Sequence, residues 1–147
     1  MTEIRYTAYL EGHLRLSKTG EWWHEGRKFE NQRLADHFSR AIVWDEQERR
    51  YFIQIGAQRA SFDCEDTAYF VDALSVGESC WTAALSDGTS EQLDPTSLSI
   101  GAEHQIYCLV KARRHRARFS RAAHQVLLQQ LGDDGLLIIG GSKIRLG

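Results

Sequence analysis

Between residues 111 and 121 the run KARRHRARFSR gathers Lys111, Arg113, Arg114, Arg116, Arg118 and Arg121 around His115, with no acid among them. Guanidinium groups meet phosphates and carboxylates as planar two-pronged donors, so the chemistry on offer is recognition of an anion. Three readings fit the run. Its charges can be offset by the protein's own acids, for which Asp63, Glu65, Asp66 and Asp72 form a candidate complement. They can hold a foreign anion, because the run leads into an expected helix whose N-terminus already carries positive partial charge, and a bound anion would relieve that conflict. They can also follow a nucleic-acid backbone. The run holds six of the 18 Lys and Arg residues, leaving 12 against 20 acids, a balance of −8, elsewhere. That acidic remainder repels a long polyanion and puts an anionic small molecule or an acidic protein segment ahead of nucleic acid.

A second constellation is Trp22-Trp23-His24-Glu25. Neighbouring residues in a strand face opposite ways, so one tryptophan faces the core on that side, and the other is either buried in turn between sheet and helix layers or exposed to cover a ring-shaped or peptide ligand. His24 and Glu25 diverge for the same reason and make no catalytic dyad. The expected ligand-binding set is therefore Lys111, Arg113, Arg114, Arg116 and Arg118 for charge, with Trp22 or Trp23 and His24 for flat contact. No single residue is expected to be catalytic and no cofactor or metal is expected, although an enzyme with polar residues gathered at the junction of the two motifs stays open as the less favoured alternative. The six histidines lack metal-ligand spacing, and no C-x-x-C occurs. Ser120 and His124 stand four apart on the expected second helix, where a nucleophile would lack an oxyanion hole. Gly140-Gly141-Ser142-Lys143 lacks Walker spacing and reads as a turn.

These side chains need elements to hold them. HLRLSKTGEWWHEG alternates around Lys18-Thr19-Gly20 as two strands. Asn31 precedes Leu34, Phe38, Ala41 and Ile42, a capped amphipathic helix. YFIQIGAQRASFDCE reads as two strands broken at Gly56, and DTAYFVDALSVG as strand or short helix. CWTAALSDGTSEQLD reads as a strand with an Asp87-Gly88 turn, and HQIYCLVKAR as another strand. Residues 117–131 present Phe119, Ala123, Val126, Leu127 and Leu131 as a second helix stripe, and LLIIGGSKIRLG closes the chain as a glycine-broken strand pair. Leu34, Phe38, Ala41 and Ile42 lie 85 residues before Phe119, Ala123, Val126 and Leu127, while Ile55-Gly56-Ala57 lies 84 before Ile139-Gly140-Gly141. The expectation is an α+β fold of two pseudo-repeated strand–helix–strand–strand motifs, about 10–72 and about 80–147. They would share one core within a single domain, with a mainly antiparallel sheet.

At 147 residues, 42% hydrophobic and with a single proline, the chain is expected to be folded rather than disordered. No leader-like apolar segment opens it and no apolar run approaches the ~20 residues of a membrane span. Cys64, Cys80 and Cys108 are odd in number and widely spaced, which suits buried reduced thiols and a cytoplasmic setting.

Three stretches, GEWWHEG (20–26), RYFIQIGAQRASFDCEDTAYFV (50–71) and ARFSRAAHQVLLQQL (117–131), resemble in their order the bacterial family catalogued as domain of unknown function 1285. The resembling positions are Trp22, Trp23, His24, Glu25 and Gly26; Arg59, Glu65, Asp66 and Tyr69; and Arg118, Ser120 and Arg121. The chain departs from that pattern at Ile55-Gly56, where the family carries Thr-Pro, and in a shorter central region. The resemblance implies an α+β protein of two similar motifs. It also implies a signalling or regulatory accessory role without a known reaction.

Overall fold

The structure, a computed structural model, describes residues 7–146. Within it the chain divides into two compact units, one ending at Ala68 and one beginning at Tyr69. It is a mixed α+β protein, mostly sheet, with three short α-helices among the described residues.

In chain order the first unit holds α1 (Thr7–Leu10), β1 (Leu14–Leu16), β2 (Trp22–His24), β3 (Arg27–Lys28), α2 (Gln32–Arg40), β4 (Ile42–Asp45), β5 (Arg50–Ile55), β6 (Gln58–Ser61) and β7 (Asp63–Cys64). β3, β2, β1 and β7 form one sheet in that order, antiparallel except for the β1–β7 pair; β4, β5 and β6 form an antiparallel meander. The turn at Lys18-Thr19-Gly20 does reverse the chain, pairing Leu16 with Trp22 and Leu14 with His24. Alternation along β1 and β2 buries Leu14, Leu16 and Trp22, and Phe29, Leu34, Phe38 and Phe62 of the same unit are buried as well. The Trp22 ring stands edge-on to Phe38 at 5.8 Å and to Phe62 at 4.9 Å, and its indole N–H donates to Ser39 Oγ at 3.0 Å. Asn31 caps α2, its side chain accepting from the Leu34 N–H at 3.2 Å. Phe38 is fully buried, so Phe38→Ala is expected to cost about 3–5 kcal/mol.

The second unit holds β8 (Tyr69–Val76), β9 (Trp81–Leu85), β10 (Ser90–Gln92), a single 3-10 turn (Pro95–Ser97), β11 (Ser99–Ile100), β12 (Ile106–Val110), β13 (His115–Phe119), α3 (Arg121–Gln129), β14 (Leu136–Ile139) and β15 (Ser142–Arg145). Six strands make one sheet in the order β10-β9-β8-β13-β12-β11, with β8 and β13 its parallel pair; β14 and β15 form a hairpin. Residues 69–76 are thus a strand, which resolves the strand-or-helix ambiguity. The two edge strands, β10 and β11, are joined by only residues 93–98, one turn of them helical. A flat sheet of six strands separates its edge strands by roughly 24 Å, further than that connection comfortably reaches. The sheet therefore curls, and Glu91 at the β10 edge accepts the Lys111 N–H just beyond β12 at 2.9 Å.

Two expectations are corrected here. The second helix begins at Arg121, not near 117: Ala117 and Phe119 are inward-facing residues of β13, registered on Tyr69 and Val71, and Ser120 is the helix cap. Phe119 fits both a strand alternation and a helical stripe, and long-range pairing with β8 decides between them. The 85-residue register of the helix stripes fails in consequence. The buried helical residues Leu34 and Phe38 correspond instead to Ala123 and Leu127, 89 apart, and the caps Asn31 and Ser120 share that spacing. The hairpins that follow keep the spacing of 84: Gly56 and Gly140 both take φ +59°, after Ile55 and Ile139. The sheets flanking the two helices differ, since β3 is an edge of four strands whereas β13 lies inside six.

Candidate binding site

The basic run does not lead straight into a helix. It forms the tip and return strand of the β12–β13 hairpin, with Val110 paired to His115 and the turn closed by the Arg114 N–H donating to the Lys111 carbonyl at 3.2 Å. Lys111, Ala112 and Arg113 all lie in the left-handed region, at φ +55°, +58° and +65°. Tight hairpins favour that conformation because it matches strand twist, yet each non-glycine residue there costs about 1–2 kcal/mol. Acids hold the turn in place. Lys111 Nζ reaches Asp87 Oδ2 at 2.6 Å and Thr89 Oγ1 at 3.0 Å, over the Tyr69 ring, and the Arg113 guanidinium pairs with Asp94. Partial burial works against ionisation of Asp87, but the bonds from Lys111 and Thr89 hold its carboxyl below the usual aspartate range. The Thr96 hydroxyl, ahead of Arg113, does the same for Asp94.

The neutralising acids at this turn are therefore Asp87, Glu91 and Asp94. Of the acids expected to serve, Asp63 pairs with His13 at 2.5 Å and Glu65 with Arg15 at 3.1 Å. Arg116 stacks on Tyr107 at 4.0 Å, and Arg118 sits half-buried opposite Tyr107 in the next strand. Arg114, exposed at the tip, makes no ion pair among the described residues. Ser120 is absorbed structurally: its hydroxyl caps α3 through the Ala123 N–H at 3.2 Å and donates to the Asp72 carbonyl at 3.2 Å. Gly140-Gly141 is a hairpin turn between β14 and β15.

The aromatic half of the expected site lies in the first unit. Trp22 is core. Trp23 faces the opposite side of β2, half-buried, beneath the Arg15 guanidinium at 5.0 Å, and its buried indole N–H has no hydrogen-bond partner among the described residues. His24 has a different setting. Its ring Nε2 donates to the Glu11 carbonyl at 2.8 Å, and its face lies 5.1 Å from Tyr9 of α1. Glu25 and Gly26, at φ +49° and +78°, then turn the chain so that Arg27 pairs with His24 and emerges on its side of the sheet.

Here a cavity of about 600 Å³ opens, lined by Ala8, Tyr9, His24, Glu25, Arg27, Lys28, Phe29, Glu30 and Asn31. Tyr9 packs on Phe29 at 4.9 Å to form an aromatic wall continuous with His24. Two of the four acidic and basic linings are already engaged: Glu25 Oε1 accepts the His13 N–H at 2.7 Å, and Lys28 Nζ reaches Glu21 at 2.6 Å. Arg27 and Glu30 are exposed, and neither has an ion-pair partner among the described residues. Residue types alone point to His24 but miss Tyr9, Arg27, Phe29 and Glu30. The Glu25-Gly26 turn between WWH and RKF is the one local signal that pairs Arg27 with His24.

A scan against protein-family models finds no match, and a search of curated proteins finds no significant one. Solved structures do match. A DUF1285 family protein from Silicibacter pomeroyi superposes with a TM-score of 0.67 over 92% of this chain and 81% of its own, at 18% identity. Another, from Shewanella baltica, superposes with a TM-score of 0.61 over 82% of this chain and 93% of its own, at 15% identity. Two solved DUF1285 family proteins are thus structural neighbours over most of the chain, and the fold described above is the fold they have.

Proposed function

We propose that this protein is a small binding module of regulatory rather than metabolic character, and that it recognises a small anionic molecule in the His24 cavity. The observation that carries this reading is the meeting, in one cavity of about 600 Å³, of the Arg27 guanidinium, which has no ion-pair partner among the described residues, with the aromatic wall of Tyr9, Phe29 and His24. Ligand sites combine an apolar wall with a few placed polar groups in volumes of about 300–1,000 Å³. The basic run supports the reading less well, because Lys111 and Arg113 are matched by Asp87 and Asp94. A thermal-shift panel of carboxylates, phosphorylated metabolites and nucleotides tests it. At least one anion is expected to raise the melting temperature of the native chain, and Arg27→Ala to remove that rise. A rise that survives Arg27→Ala but vanishes in Arg114→Ala moves the site to the hairpin.

A second reading keeps the hairpin as a contact for an acidic protein segment. Arg114 favours it, standing without an ion pair among the described residues at the tip of a turn held in a left-handed conformation. An oligo-glutamate peptide would then bind at low salt, and Arg114→Ala would weaken it. Nucleic acid on the same hairpin is the remaining alternative, and it requires retention that falls steeply with salt.

A further inference from the structure

We propose that the ligand of the His24 cavity is a zwitterion, an α-amino acid with an apolar side chain, its carboxylate on Arg27 and its ammonium on Glu30. This rests on the reading above that the cavity takes an anionic group on Arg27, and it adds a cationic group to the same ligand. The cavity lining holds two acids and two strong bases, but the protein itself uses one of each: Glu25 on the His13 backbone and Lys28 on Glu21. What remains is one cation and one anion, three residues apart and both without an ion-pair partner among the described residues. A simple anion would satisfy Arg27 and leave its charge beside Glu30, where like charges repel. A simple cation would meet the converse problem at Arg27. A molecule carrying both charges, on two groups attached to one carbon, removes both conflicts.

The aromatic wall of the same cavity specifies the rest of the ligand. Tyr9 lies 5.1 Å from His24 and 4.9 Å from Phe29, with ring planes inclined by 54° and 59°. Tilted packing of this kind leaves a continuous apolar surface that a branched or aromatic side chain can extend. His24 is locked by the Glu11 carbonyl, so it offers a fixed surface rather than a mobile one.

Titration calorimetry on the native chain with three probes of one skeleton tests the assignment: phenylalanine, 3-phenylpropanoate, which lacks the ammonium, and phenethylamine, which lacks the carboxylate. Phenylalanine is expected to bind at least about tenfold tighter than either, the size of one charge-assisted bond lost. Arg27→Ala should abolish phenylalanine binding. Glu30→Gln should bring phenylalanine down to the affinity of 3-phenylpropanoate while leaving the latter unchanged or improved. Both exposed substitutions spare the core, and an unchanged melting temperature verifies folding. If 3-phenylpropanoate binds as tightly as phenylalanine, the zwitterion assignment fails and the anion reading stands. If none of the three binds and no anion of the thermal-shift panel does, both fail.

Discussion

At the scale of single residues, the best-defined electrostatic event is the meeting of Lys111 with Asp87. The Asp87 side chain is only 13% exposed, so removing its cation strands a largely buried carboxylate. Lys111→Ala is expected to cost about 1–3 kcal/mol at neutral pH. The pH dependence follows from the direction of the shift. Asp87 titrates below the ordinary aspartate value of about 3.9, so its stabilising contribution is complete above that value and is lost as pH falls through the lowered native one. Urea midpoints of the two proteins should therefore converge on acidification, and a gap that persists in acid would reject the assignment. The thiols give a second residue-scale prediction. Burial pushes the Cys108 thiol up to about 12 and the Cys64 thiol up to about 11. Since the thiolate is the nucleophile, iodoacetamide at mildly alkaline pH should leave Cys108 unmodified until the chain is unfolded. Modification of Cys108 in the native protein at the rate of half-exposed Cys80, read by peptide mass spectrometry, would contradict this. Residue identity alone made His24 and the arginines candidates. It could not show which cations of the run the protein's own acids would engage, because Asp87 and Lys111 lie 24 positions apart and meet only through the curl of a sheet.

At the scale of elements, three hairpin turns show how backbone conformation and space act separately. Gly56 and Gly140 share φ +59°, but a Cβ at Gly56 would meet nothing within 4 Å, whereas one at Gly140 would come within 2.5 Å of the Ser79 carbonyl oxygen. Gly56→Ala is therefore expected to cost about 1–2 kcal/mol for the conformation alone, and Gly140→Ala to cost more. Equal costs in denaturant titrations would show that Ser79 yields freely. At the β12–β13 turn the logic reverses. Ala112 already holds φ +58°, so Ala112→Gly should stabilise by about 0.5–1 kcal/mol, less than the strain removed, because glycine also frees the unfolded chain. Such local devices are what a sequence displays most openly. Asn31 with the Leu34–Phe38 stripe identifies α2, and Asp87-Gly88 identifies the β9–β10 turn, because each signal acts across a few residues. The start of α3 was not legible, since Phe119 satisfies helix and strand periods alike.

At the scale of the whole molecule, charge is more evenly spread than the basic run suggests. The unit beginning at Tyr69 carries eight Lys and Arg residues against eight Asp and Glu, a net of zero, and the unit ending at Ala68 carries ten against twelve. The acids that answer the run at its turn lie within the run's own unit. The protein is accordingly expected to leave a heparin column below about 0.2 M salt, far short of a protein making many phosphate contacts; elution well above that would revive the nucleic-acid alternative. No helix among the described residues is long and apolar enough to cross a membrane. By itself the sequence determined the α+β class, the amphipathic helix after Asn31, most of the turns and the placing of Trp22 and Trp23 on opposite faces, because caps, alternation and turn chemistry act between near neighbours. Only the tertiary structure decided the strand order, the helix start at Arg121, the acids that meet Lys111 and Arg113, and the cavity where Arg27 joins His24. Those outcomes depend on pairings between segments far apart in the chain, and a local pattern compatible with two partners carries no information about which one it meets.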